Sequence, residues 1–413
     1  MSLIDDFEWR GMLYDCTEGT REALAQQKVT SYIGFDPTAS SLHVGSLLPI
    51  MALARLQRLG HSPIALVGGG TGLIGDPSGK SQERTLLSLE DVDANARGMR
   101  AQLERFLDFD RQPNPARMMN NADWLRSVGL LEFLRDTGKH FTVNYMLAKE
   151  SVKRRLGGDE GISFTEFSYL LLQSYDYLVL HDRTGCTLQM GGSDQWGNIV
   201  AGCDLIRKVR GAKAHGLVLP LVTTSAGTKF GKTEAGTVWL DPARTSPFRF
   251  YQFWLNTDDR DVVKYLKFFT WLDRATVEAL ERAVAEAPQA REAQRTLARE
   301  VTAMVHGAEA LAQAERETAA KFGGGRDEDI PPVVLPGSVF GAGMSNADFM
   351  VATTLAKSKS EATRIIQQGG FYLNDVRVTD PRGQVVLADL QDGRIRAQKG
   401  QKERILVEVD TSS

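Results

Sequence analysis

The sequence predicts an α/β protein: a Rossmann-like domain with a parallel sheet, then an α-helical domain and a small α+β domain. Three observations predict this order. Two apolar strand patterns, residues 31–36 and 63–68, flank one amphipathic helix, which is the βαβ arrangement of a parallel sheet. Residues 247–322 show successive helical patterns rich in Ala, Glu, Arg and Leu. The tail from residue 345 combines a short helix with short strands.

The first helix is predicted between the two strands "SYIGFD" and "PIALVG". Leu48, Ala52 and Leu56 recur there at helical spacing, and arginines occupy the other side. Gly60 follows where a helix favours a glycine with left-handed backbone. These features predict one complete βαβ unit near the start of the chain.

Three more helices and a strand complete the predicted first domain. Ser88 with Asp91 resembles an N-terminal cap, and it opens a long apolar stripe. Ser163 with Glu166 opens another helix, which we expect to run to about Leu178. "CTLQM" (186–190) has the pattern of a strand, and "GGSDQWGN" leads from it into a helix that ends near residue 209.

The amino-acid composition of the chain changes at several points, and these changes suggest domain boundaries. Glycine-punctuated loop sequence follows Pro220, and "GGGRDEDIPPVVLPG" has the composition of a linker. The predicted divisions are a Rossmann-like domain with an N-terminal helical segment (1–220), a loop region (221–246), a helical domain (247–322), a linker (323–344) and a C-terminal domain (345–413).

Composition places the chain among ordinary cytosolic proteins. With 413 residues it is too long for one core, and about 150 residues per domain suggests two or three domains. A net charge of −3 gives no global attraction to nucleic acid, so any RNA contact must depend on local patches. The three cysteines show no CxxC spacing, which indicates free thiols in a reducing compartment. We see no secretory signal or apolar run long enough for a membrane span.

Two phosphate-binding motifs are only partly matched. "GTGLIG" (70–75) fits G-x-G-x-x-G, but Pro77 and Gly79 oppose the helix that this dinucleotide-binding motif must open. "GDPSGKS" resembles a P-loop, yet Ile74 stands where that motif needs its first glycine. We therefore expect neither a dehydrogenase nor a P-loop enzyme.

A polar stripe marks the helix that begins at Ser163. Tyr169, Gln173 and Asp176 are spaced i, i+4, i+7, so they share one face of an otherwise apolar helix. Such a stripe has two interpretations. It could simply face solvent, or its phenol, amide and carboxylate could line a small polar pocket.

The start of the first helix has the composition of a phosphate site. Helix N-termini carry N–H groups without intrahelical partners and a partial positive charge. Thr38 and His43 add donors, and we expect Gly45 to let a planar ligand approach the backbone. Four cations could add to the site, two of them on a glycine-containing loop: Lys80, Arg84, Lys229 and Lys232.

These motifs resemble those of one enzyme family. "HVGS" (43–46) is similar to the HIGH signature of class I aminoacyl-tRNA synthetases, and "KFGKT" (229–233) to their KMSKS-type loop. With "YIGFDPTASSLHVG", "GLIGDPSGK", "ISFTEFSYLLLQSYD" and "LQMGGSDQWGN", the chain resembles the bacterial tyrosyl-tRNA synthetases over essentially its whole length. The tail, with "SKSEATRIIQQGGFYLND", resembles a small RNA-binding domain also found in a ribosomal protein.

The resemblance implies activation of tyrosine with ATP to tyrosyl-adenylate, release of pyrophosphate, and transfer of the tyrosyl group to the 3′ end of tRNA(Tyr). Tyr32 and Asp176 match the residues that bind the phenolic hydroxyl. Asp76, Tyr169 and Gln173 match those that hold the ammonium group. Positions matching the ATP and adenylate site are Gly34, Asp36, His43, Gly45, Ser46, Gly192, Asp194, Gln195 and Lys232. Positions matching the catalytic groups on the phosphates are Thr38, His43, Lys80, Arg84, Lys229 and Lys232.

The resemblance also implies partners. Lys149, Arg207 and Lys208 match positions near the tRNA acceptor stem, and the family forms homodimers. Magnesium would accompany ATP, held mainly by phosphate oxygens, with no resident metal in the protein. The family needs no editing domain, and no part of this chain is typical of one.

One departure and two alternatives remain. Ser46 stands where the signature has its second histidine, and we expect its hydroxyl either to cap the helix or to act through a water. The chain could activate another aromatic amino acid, although Tyr32 with Asp176 suits a hydroxyl group. It could also be a non-catalytic RNA-binding paralogue, against which His43, Lys229 and Lys232 argue.

Overall fold

The structure is a computed structural model that describes residues 2–78, 87–158, 161–227, 230–233, 236–322, 329–341, 343–391, 393–400 and 403–410. The chain forms two units, Met1–Val305 and His306–Ser413. Among the helices of the described residues, none has both the length and the apolar character that crossing a membrane requires.

A six-stranded sheet forms the centre of the first unit. Its strands are β1 (Asp15–Cys16), β2 (Thr30–Phe35), β3 (Ser62–Val67), β4 (Arg117–Asn120), β5 (Cys186–Gly192) and β6 (His215–Leu219). In space they run β1-β6-β5-β2-β3-β4; β1 pairs antiparallel with β6, and the other pairs are parallel. The strand order reverses between β2 and β5, and ligands bind at the carboxyl ends of strands at such a point. The predicted Rossmann-like parallel sheet is confirmed.

Helices connect and cover these strands. In the first part of the unit they are α1 (Leu3–Arg10), α2 (Thr20–Gln26), α3 (Leu47–Arg58), α4 (Leu89–Leu103), α5 (Ala122–Leu125), α6 (Leu130–Asp136), α7 (Val143–Leu147), α8 (Glu150–Leu156), α9 (Phe164–Thr184) and α10 (Trp196–Arg210). A small hairpin follows, made of β7 (Lys232–Thr233) and β8 (Gly236–Thr237). The predicted run of helices is then α11 (Pro247–Leu255), α12 (Asp259–Phe269), α13 (Arg274–Glu286) and α14 (Glu292–His306), with α15 (Ala308–Phe322) in the second unit.

Helices α4 and α9 begin at the predicted caps. Ser88 Oγ accepts a hydrogen bond from the Asp91 N–H at 3.1 Å, and Ser163 Oγ accepts one from the Glu166 N–H at 3.2 Å. Each serine satisfies an N–H that has no partner within its own helix. Helix α9 continues past its predicted end to Thr184, because the residues after Leu178 pack into the core, and it stops at a left-handed glycine with φ of 66°.

A buried ion cluster joins α1, α3 and the end of α12. The Asp6 carboxylate accepts a hydrogen bond from Arg10 Nε at 2.9 Å and lies 3.4 Å from Arg55 Nη1. The two arginines also donate to carbonyl groups at the end of α12, those of Lys267, Thr270 and Leu272. Burial lowers the pKa of Arg55 to about 9, so its guanidinium stays charged at neutral pH. The cluster fixes α3, whose N-terminus carries His43, Gly45 and Ser46.

The second unit contains a five-stranded sheet. Its strands are β9 (Val333–Pro336), β11 (Phe371–Leu373), β12 (Val376–Val378), β14 (Arg394–Lys399) and β15 (Glu403–Asp410), in the spatial order β12-β11-β14-β15-β9. Outside it, β10 (Met344–Ser345) pairs with β13 (Gln384–Val385). Helices α16 (Ser338–Gly341), α17 (Asn346–Ala352) and α18 (Lys359–Gln367) accompany the sheet, and Phe349, Phe371, Ile395 and Val407 form its fully buried centre. The predicted α+β tail is confirmed.

Part of the predicted linker forms a strand. Within residues 323–344, β9 pairs in parallel with β15 over four residues, Val333–Pro336, and so belongs to the C-terminal sheet. The two compact units divide after Val305, and Ala320 of α15 packs with Ile330 and Leu406 in the second unit; the predicted domain boundary after Phe322 stays a prediction. The prolines around β9 suggested loop sequence, but an edge strand tolerates proline because one side of it makes no ladder hydrogen bonds.

The glycine motif "GTGLIG" opens no α-helix in the described residues. After β3, residues Thr71–Leu73 form a single 3₁₀ turn, and the next α-helix described is α4, which starts at Leu89. A dinucleotide-binding motif requires its glycines to lead directly into a helix. The structure therefore gives no support to a dehydrogenase.

We predict that Arg55→Ala destabilises the first unit by about 3–5 kcal/mol, because it leaves the buried carboxylate of Asp6 with one partner fewer. The matched control is Arg21→Ala, which removes an exposed ion pair with Glu8 and should cost less than about 1 kcal/mol. Denaturant unfolding followed by near-ultraviolet circular dichroism measures both. Equal stabilities of the two variants would show that the buried cluster does not hold α3.

Candidate active site

One cavity of about 700 Å³ lies at the carboxyl ends of β2 and β5. It collects side chains from strand ends, from the start of α3 and from the middle of α9. The predicted residues that line it are Tyr32, Gly34, Asp36, Thr38, His43, Gly45, Ser46, Asp76, Tyr169, Gln173, Asp176, Gly192, Asp194 and Gln195. The sequence motifs therefore converge on one place although they are up to about 160 positions apart in the chain.

The polar stripe of α9 faces this cavity. Tyr169 is 6% exposed and Asp176 is 2% exposed, and Gln173 lines the same wall. The interpretation that the stripe faces solvent is wrong, because neighbouring residues of α9 pack into the core on both sides of it. The alternative, a polar pocket, is confirmed.

Asp176 is a buried carboxylate with two neutral donors. Asn121 Nδ2 donates to its Oδ2 at 2.9 Å, and Trp124 Nε1 donates to its Oδ1 at 2.7 Å. Burial raises the pKa of Asp176 to about 7; the two hydrogen bonds favour the ionised form and oppose the shift. The group can therefore accept hydrogen bonds as a carboxylate near neutral pH while remaining out of water.

Tyr32 brings an unpartnered hydroxyl to the same end of the cavity. Among the described residues its Oη has no hydrogen-bond partner, although the side chain is only 1% exposed. Burial first, and then the nearby charge of Asp176, raise the pKa of Tyr32 well above its ordinary value, so the group stays a neutral donor. A buried hydroxyl without a partner is costly. This end of the cavity therefore offers a donor and an acceptor to a ligand that carries a hydroxyl group.

Asp36 and Asp76 are two further carboxylates in the cavity lining. Asp36 accepts hydrogen bonds from the hydroxyls of Tyr169 and Thr71, both at 2.9 Å. Asp76 accepts from Gln195 Nε2 at 2.7 Å and from the Ser78 N–H at 2.9 Å. Hydroxyl, amide and backbone N–H groups of the described residues thus orient both carboxylates. Carboxylate oxygens in the lining can accept hydrogen bonds from a cationic group such as an ammonium.

The start of α3 differs from the predicted phosphate site. Every N–H from residue 44 to residue 47 has a partner within the chain: the carbonyl of Val238, Nδ1 of His43, the carbonyl of His43 and the carbonyl of Val44, in that order. Residues 42–44 pair with residues 238–240. This pairing uses the Val44 N–H, which donates to the Val238 carbonyl. The expectation of N–H groups without partners at this helix start was wrong. Donors to a ligand must come from side chains here.

His43 and Gly45 act together in this turn. The Gly45 N–H donates to His43 Nδ1 at 3.0 Å, so the proton of a neutral His43 is on Nε2. A Cβ on Gly45 would come within 2.7 Å of the imidazole ring. The absent side chain makes room for His43, and our expectation that it also admits a planar ligand stays a prediction.

Ser46 lines the cavity but does not cap the helix. It precedes the first residue of α3, and its side chain makes no capping hydrogen bond. The capping interpretation of Ser46 is therefore wrong, and the interpretation through a bridging water stays a prediction. Pro49 is the third residue of α3, where the helix does not need its missing N–H.

The four predicted cations fall at or beyond the edges of the described chain. Lys80, Arg84 and Lys229 lie outside the described residues, and of Lys232 only the backbone in β7 is described. Their roles stay predictions.

Lys149, Arg207 and Lys208 do not line the cavity, and each has a contact within the chain. Lys149 donates to the Tyr145 hydroxyl at 2.7 Å, and burial lowers its pKa. Arg207 pairs with Asp204, and Lys208 donates to the His140 carbonyl at 2.8 Å. Their proposed contacts with RNA stay predictions.

The residues that hold the carboxylates were not predicted from the sequence. Asn121 and Trp124 bind Asp176, and Asn121 also donates to Thr71, the partner of Asp36. The signal that could have revealed them is "NN" at the end of the strand β4, since polar residues at a parallel strand's carboxyl end approach the site. Among the described residues, no group of three or more His, Cys, Asp or Glu side chains could hold a metal ion.

Comparison with known proteins gives consistent matches. The family described as "tRNA synthetases class I (W and Y)" matches residues 24–323, and the S4 domain matches residues 347–389. The chain is 54% identical to a tyrosine–tRNA ligase of Roseiflexus castenholzii over 98% of this chain and 99% of that one. It is 50% identical to the tyrosine–tRNA ligase of Geobacillus stearothermophilus, again over 98% and 99%.

A solved structure shows the same architecture. The C-terminally truncated mitochondrial tyrosyl-tRNA synthetase of Aspergillus nidulans matches with a TM-score of 0.69 and 32% identity, over 76% of this chain and 92% of that chain. The tyrosyl-tRNA synthetase of Archaeoglobus fulgidus, complexed with L-tyrosine, matches with a TM-score of 0.56 over 76% of this chain and 99% of that chain. At 14% identity, this second likeness shows the fold alone.

We predict that Asn121→Ala raises the pKa of Asp176 above its value of about 7, because the variant loses a hydrogen bond to the ionised form. Carbon-13 NMR titration of the aspartate carboxyls measures this, with Asp176→Asn to assign the signal. Asn120→Ala is the control, since Asn120 accepts hydrogen bonds from the backbone N–H groups of Gly69 and Ala122. An unchanged titration in Asn121→Ala would contradict the prediction.

The same shift makes stability depend on pH. Asp176 is protonated in the folded chain up to about pH 7, whereas in the unfolded chain it ionises near 3.8. The contribution of Asp176 to the free energy of unfolding is therefore largest below pH 3.8 and is lost as the pH rises from 3.8 to about 7.

Proposed function

The chain belongs to the class I tRNA synthetases for tryptophan and tyrosine, and we propose that it acts as a tyrosine–tRNA ligase. It activates tyrosine with ATP to tyrosyl-adenylate, releases pyrophosphate and transfers the tyrosyl group to the 3′ end of tRNA(Tyr). The observation that carries this proposal is the buried pair of Tyr32 and Asp176, which offers a donor and an acceptor to one hydroxyl. Relatives at 50–54% identity over nearly the whole chain support it.

Tyrosine binds with its ring against β2 and its phenol between Tyr32 and Asp176. Its ammonium group contacts Asp76, Tyr169 and Gln173. These contacts are supported by the presence of all five side chains in the lining of one cavity, where the charge of Asp176 acts on the Tyr32 hydroxyl. Asn198 supports this arrangement because its Nδ2 lies 2.9 Å from Gln173 Oε1.

Polar groups left unpaired explain selection of tyrosine over phenylalanine. Phenylalanine would leave the Tyr32 hydroxyl and the Asp176 carboxylate buried without a ligand partner, and such groups are costly. Tyrosine enzymes of this family are the standard example of the effect, with discrimination of about 10⁵ and no editing.

ATP occupies the part of the cavity between the end of β2, the start of α3 and the end of β5. The groups proposed to contact the nucleotide or the adenylate are Gly34, Asp36, His43, Gly45, Ser46, Gly192, Asp194, Gln195 and Lys232. No protein nucleophile is needed, because the tyrosine carboxylate attacks the α-phosphate directly. The chain contributes positioning and stabilisation of charge on the phosphates, for which Thr38, His43, Lys80, Arg84, Lys229 and Lys232 are proposed.

Magnesium accompanies ATP in this proposal. Phosphate oxygens supply most of its ligands, as is usual for this ion in nucleotide sites. Activation assayed across magnesium concentrations at fixed ATP tests it.

Transfer to tRNA uses surfaces outside the cavity. Lys149, Arg207 and Lys208 are proposed to contact the acceptor stem, and the matched S4 domain to contact RNA elsewhere. A reaction of this kind belongs in the cytoplasm, which cell fractionation tests. Charging at limiting tRNA should weaken when these three cations are replaced, while adenylate formation should stay unchanged.

Replacing Asp176 tests the proposed specificity. We predict that Asp176→Asn slows tyrosine-dependent ATP–pyrophosphate exchange by about 10- to 100-fold, the scale of a hydrogen bond to a charged group. The ratio of tyrosine to phenylalanine activation should fall as well. Asp182→Asn makes the same change on the same helix, where the carboxylate pairs with Arg210 outside the cavity lining, and serves as the control.

Two results would contradict the proposal. Unchanged exchange and an unchanged ratio in Asp176→Asn would show that the phenol site is wrongly assigned. Exchange in the wild-type chain that depends on tryptophan and not on tyrosine would assign the chain to the other branch of the family.

We propose that an exposed apolar surface on α6 and at the start of α9 binds a second copy of the chain. Leu130 is 72%, Leu131 82% and Phe164 78% exposed, and exposed large apolar side chains are candidates for an interface. They lie on α6 and at the start of α9, two helices that pack on one common cluster. A homodimer buries the same surface on both copies.

We predict that Leu131→Glu shifts the chain from dimer to monomer at micromolar concentration, because it places two charges at the centre of the proposed interface. Sedimentation equilibrium measures the shift. Val376→Glu, at a similarly exposed apolar residue of the second unit, is the control and should stay dimeric. A monomeric wild-type chain, or a Leu131→Glu chain that is as dimeric as the control, would rule out this surface.

A further inference from the structure

One face of α12 contacts the chain on both sides of Lys229. Asp261, Lys264, Tyr265 and Phe269 are spaced i, i+3, i+4 and i+8, so they share this face. The first three bind residues 223–225, and the last two contact Phe230. A single helix therefore fixes the described backbone before and after residues 228–229.

The contact before Lys229 is made entirely to backbone groups. Asp261 Oδ2 accepts a hydrogen bond from the Ser225 N–H at 2.8 Å, and its Oδ1 lies 3.2 Å from Lys264 Nζ. Lys264 Nζ donates to the Thr223 carbonyl at 2.9 Å, where the Tyr265 hydroxyl lies at 3.4 Å. Because side chains of α12 bind backbone atoms, this arrangement fixes the course of the chain whatever side chains residues 223–225 carry.

The contact after Lys229 is aromatic. Phe230 is 4% exposed, and its ring centroid lies 4.9 Å from that of Tyr265 and 5.5 Å from that of Phe269, nearly parallel to the latter. Rings of α11, those of Phe253 and Trp254, complete the cluster around it. Phe230 also lines the active-site cavity, as do Leu221, Val222, Thr223 and Gly227.

Asp261 is a buried carboxylate at the place where α12 binds residues 223–225. The residue is 4% exposed, and a buried carboxylate is unfavourable unless donors compensate its loss of water. A lysine and a backbone N–H provide this compensation. The N–H belongs to Ser225, and Lys264 binds the carbonyl of Thr223, a residue that lines the cavity. The ion pair is thus placed where it determines the position of that wall.

We infer that Asp261 and Lys264 are positioning residues for tyrosine activation: they hold residues 223–225 on α12 and so orient the chain that carries Lys229 and Lys232. This inference rests on the proposed role of those two lysines at the phosphates. Neither Asp261 nor Lys264 lines the cavity, so their effect must pass through the segment. Misplacement by about 1 Å of groups that stabilise a transition state can cost up to about 100-fold in rate.

The test is single-turnover formation of tyrosyl-adenylate at saturating tyrosine and ATP. Asp261→Asn removes the charge at nearly constant size, and Lys264→Gln removes the bond to the Thr223 carbonyl. Each should slow the reaction by about 10- to 100-fold while the tyrosine Kd without ATP changes less than about twofold. Lys264→Arg, which keeps a cationic donor, should restore most of the rate.

Arg260→Gln is the matched control. Arg260 lies one residue from Asp261 on α12, and its guanidinium donates to the exposed carboxylate of Asp258, so replacing it keeps the hydrogen bonds to residues 223–225. Its rate should equal that of the wild-type chain. Thermal unfolding of every variant identifies a general loss of structure, and Lys264→Gln, whose lysine is 38% exposed, keeps the test valid if Asp261→Asn unfolds.

A double-mutant cycle separates positioning from a purely structural role. In a chain that already carries Lys229→Ala and Lys232→Ala, the Asp261→Asn change should cost little further rate, because the groups it positions are gone. Equal losses in both backgrounds would overturn the inference. Wild-type rates for Asp261→Asn and Lys264→Gln would overturn it too, even if the lysine variants are slow. Lysine variants that activate tyrosine at the wild-type rate would instead refute the proposed role of the lysines, and the inference with it.

Discussion

Parallel pairing of β2 with both β3 and β5 is the constraint on which the rest of the site depends. In this register Tyr32 lies beside Ile64 on one side and Gln189 on the other, and the three strands end at the same edge. Asp36 follows β2 and Gly192 ends β5 at that edge, and Asn121 follows β4 there as well. Residues far apart in the chain therefore meet because parallel strands bring their carboxyl ends together. Helix α9 then closes the cavity with a single polar stripe.

Several carboxylates line the cavity, and neutral groups of the described residues donate hydrogen bonds to three of them. Asn121 and Trp124 bind Asp176, hydroxyl groups bind Asp36, and an amide with a backbone N–H binds Asp76. These donors orient the carboxylates in the cavity lining. Asp6 shows the opposite arrangement, since two arginines neutralise it and its role is to join helices.

The start of α3 shows how tertiary contacts change the meaning of a local motif. Its sequence suggested backbone donors for phosphate, but pairing with residues 238–240 and the His43 imidazole use those donors. The turn therefore offers a ligand side chains instead of backbone donors. His43 is held with its proton on Nε2, and Gly45 makes room for the imidazole ring. The same segment 238–240 follows β8 and the lysine loop, so the histidine motif and the lysine motif are joined by main-chain hydrogen bonds.

The sequence by itself determined the parallel sheet, the long helices and most of the cavity lining, because these depend on local signals. Apolar runs defined β2 and β3, serine caps defined α4 and α9, and helical spacing placed Tyr169, Gln173 and Asp176 on one face. Only the tertiary structure decided what depends on distant partners. These features are the groups that donate hydrogen bonds to Asp176, the pairing of β9 with β15, and the backbone hydrogen bonds at the start of α3. The physical reason is that a periodic pattern reports which side of an element is buried, whereas a hydrogen-bond partner is known only when two distant segments meet.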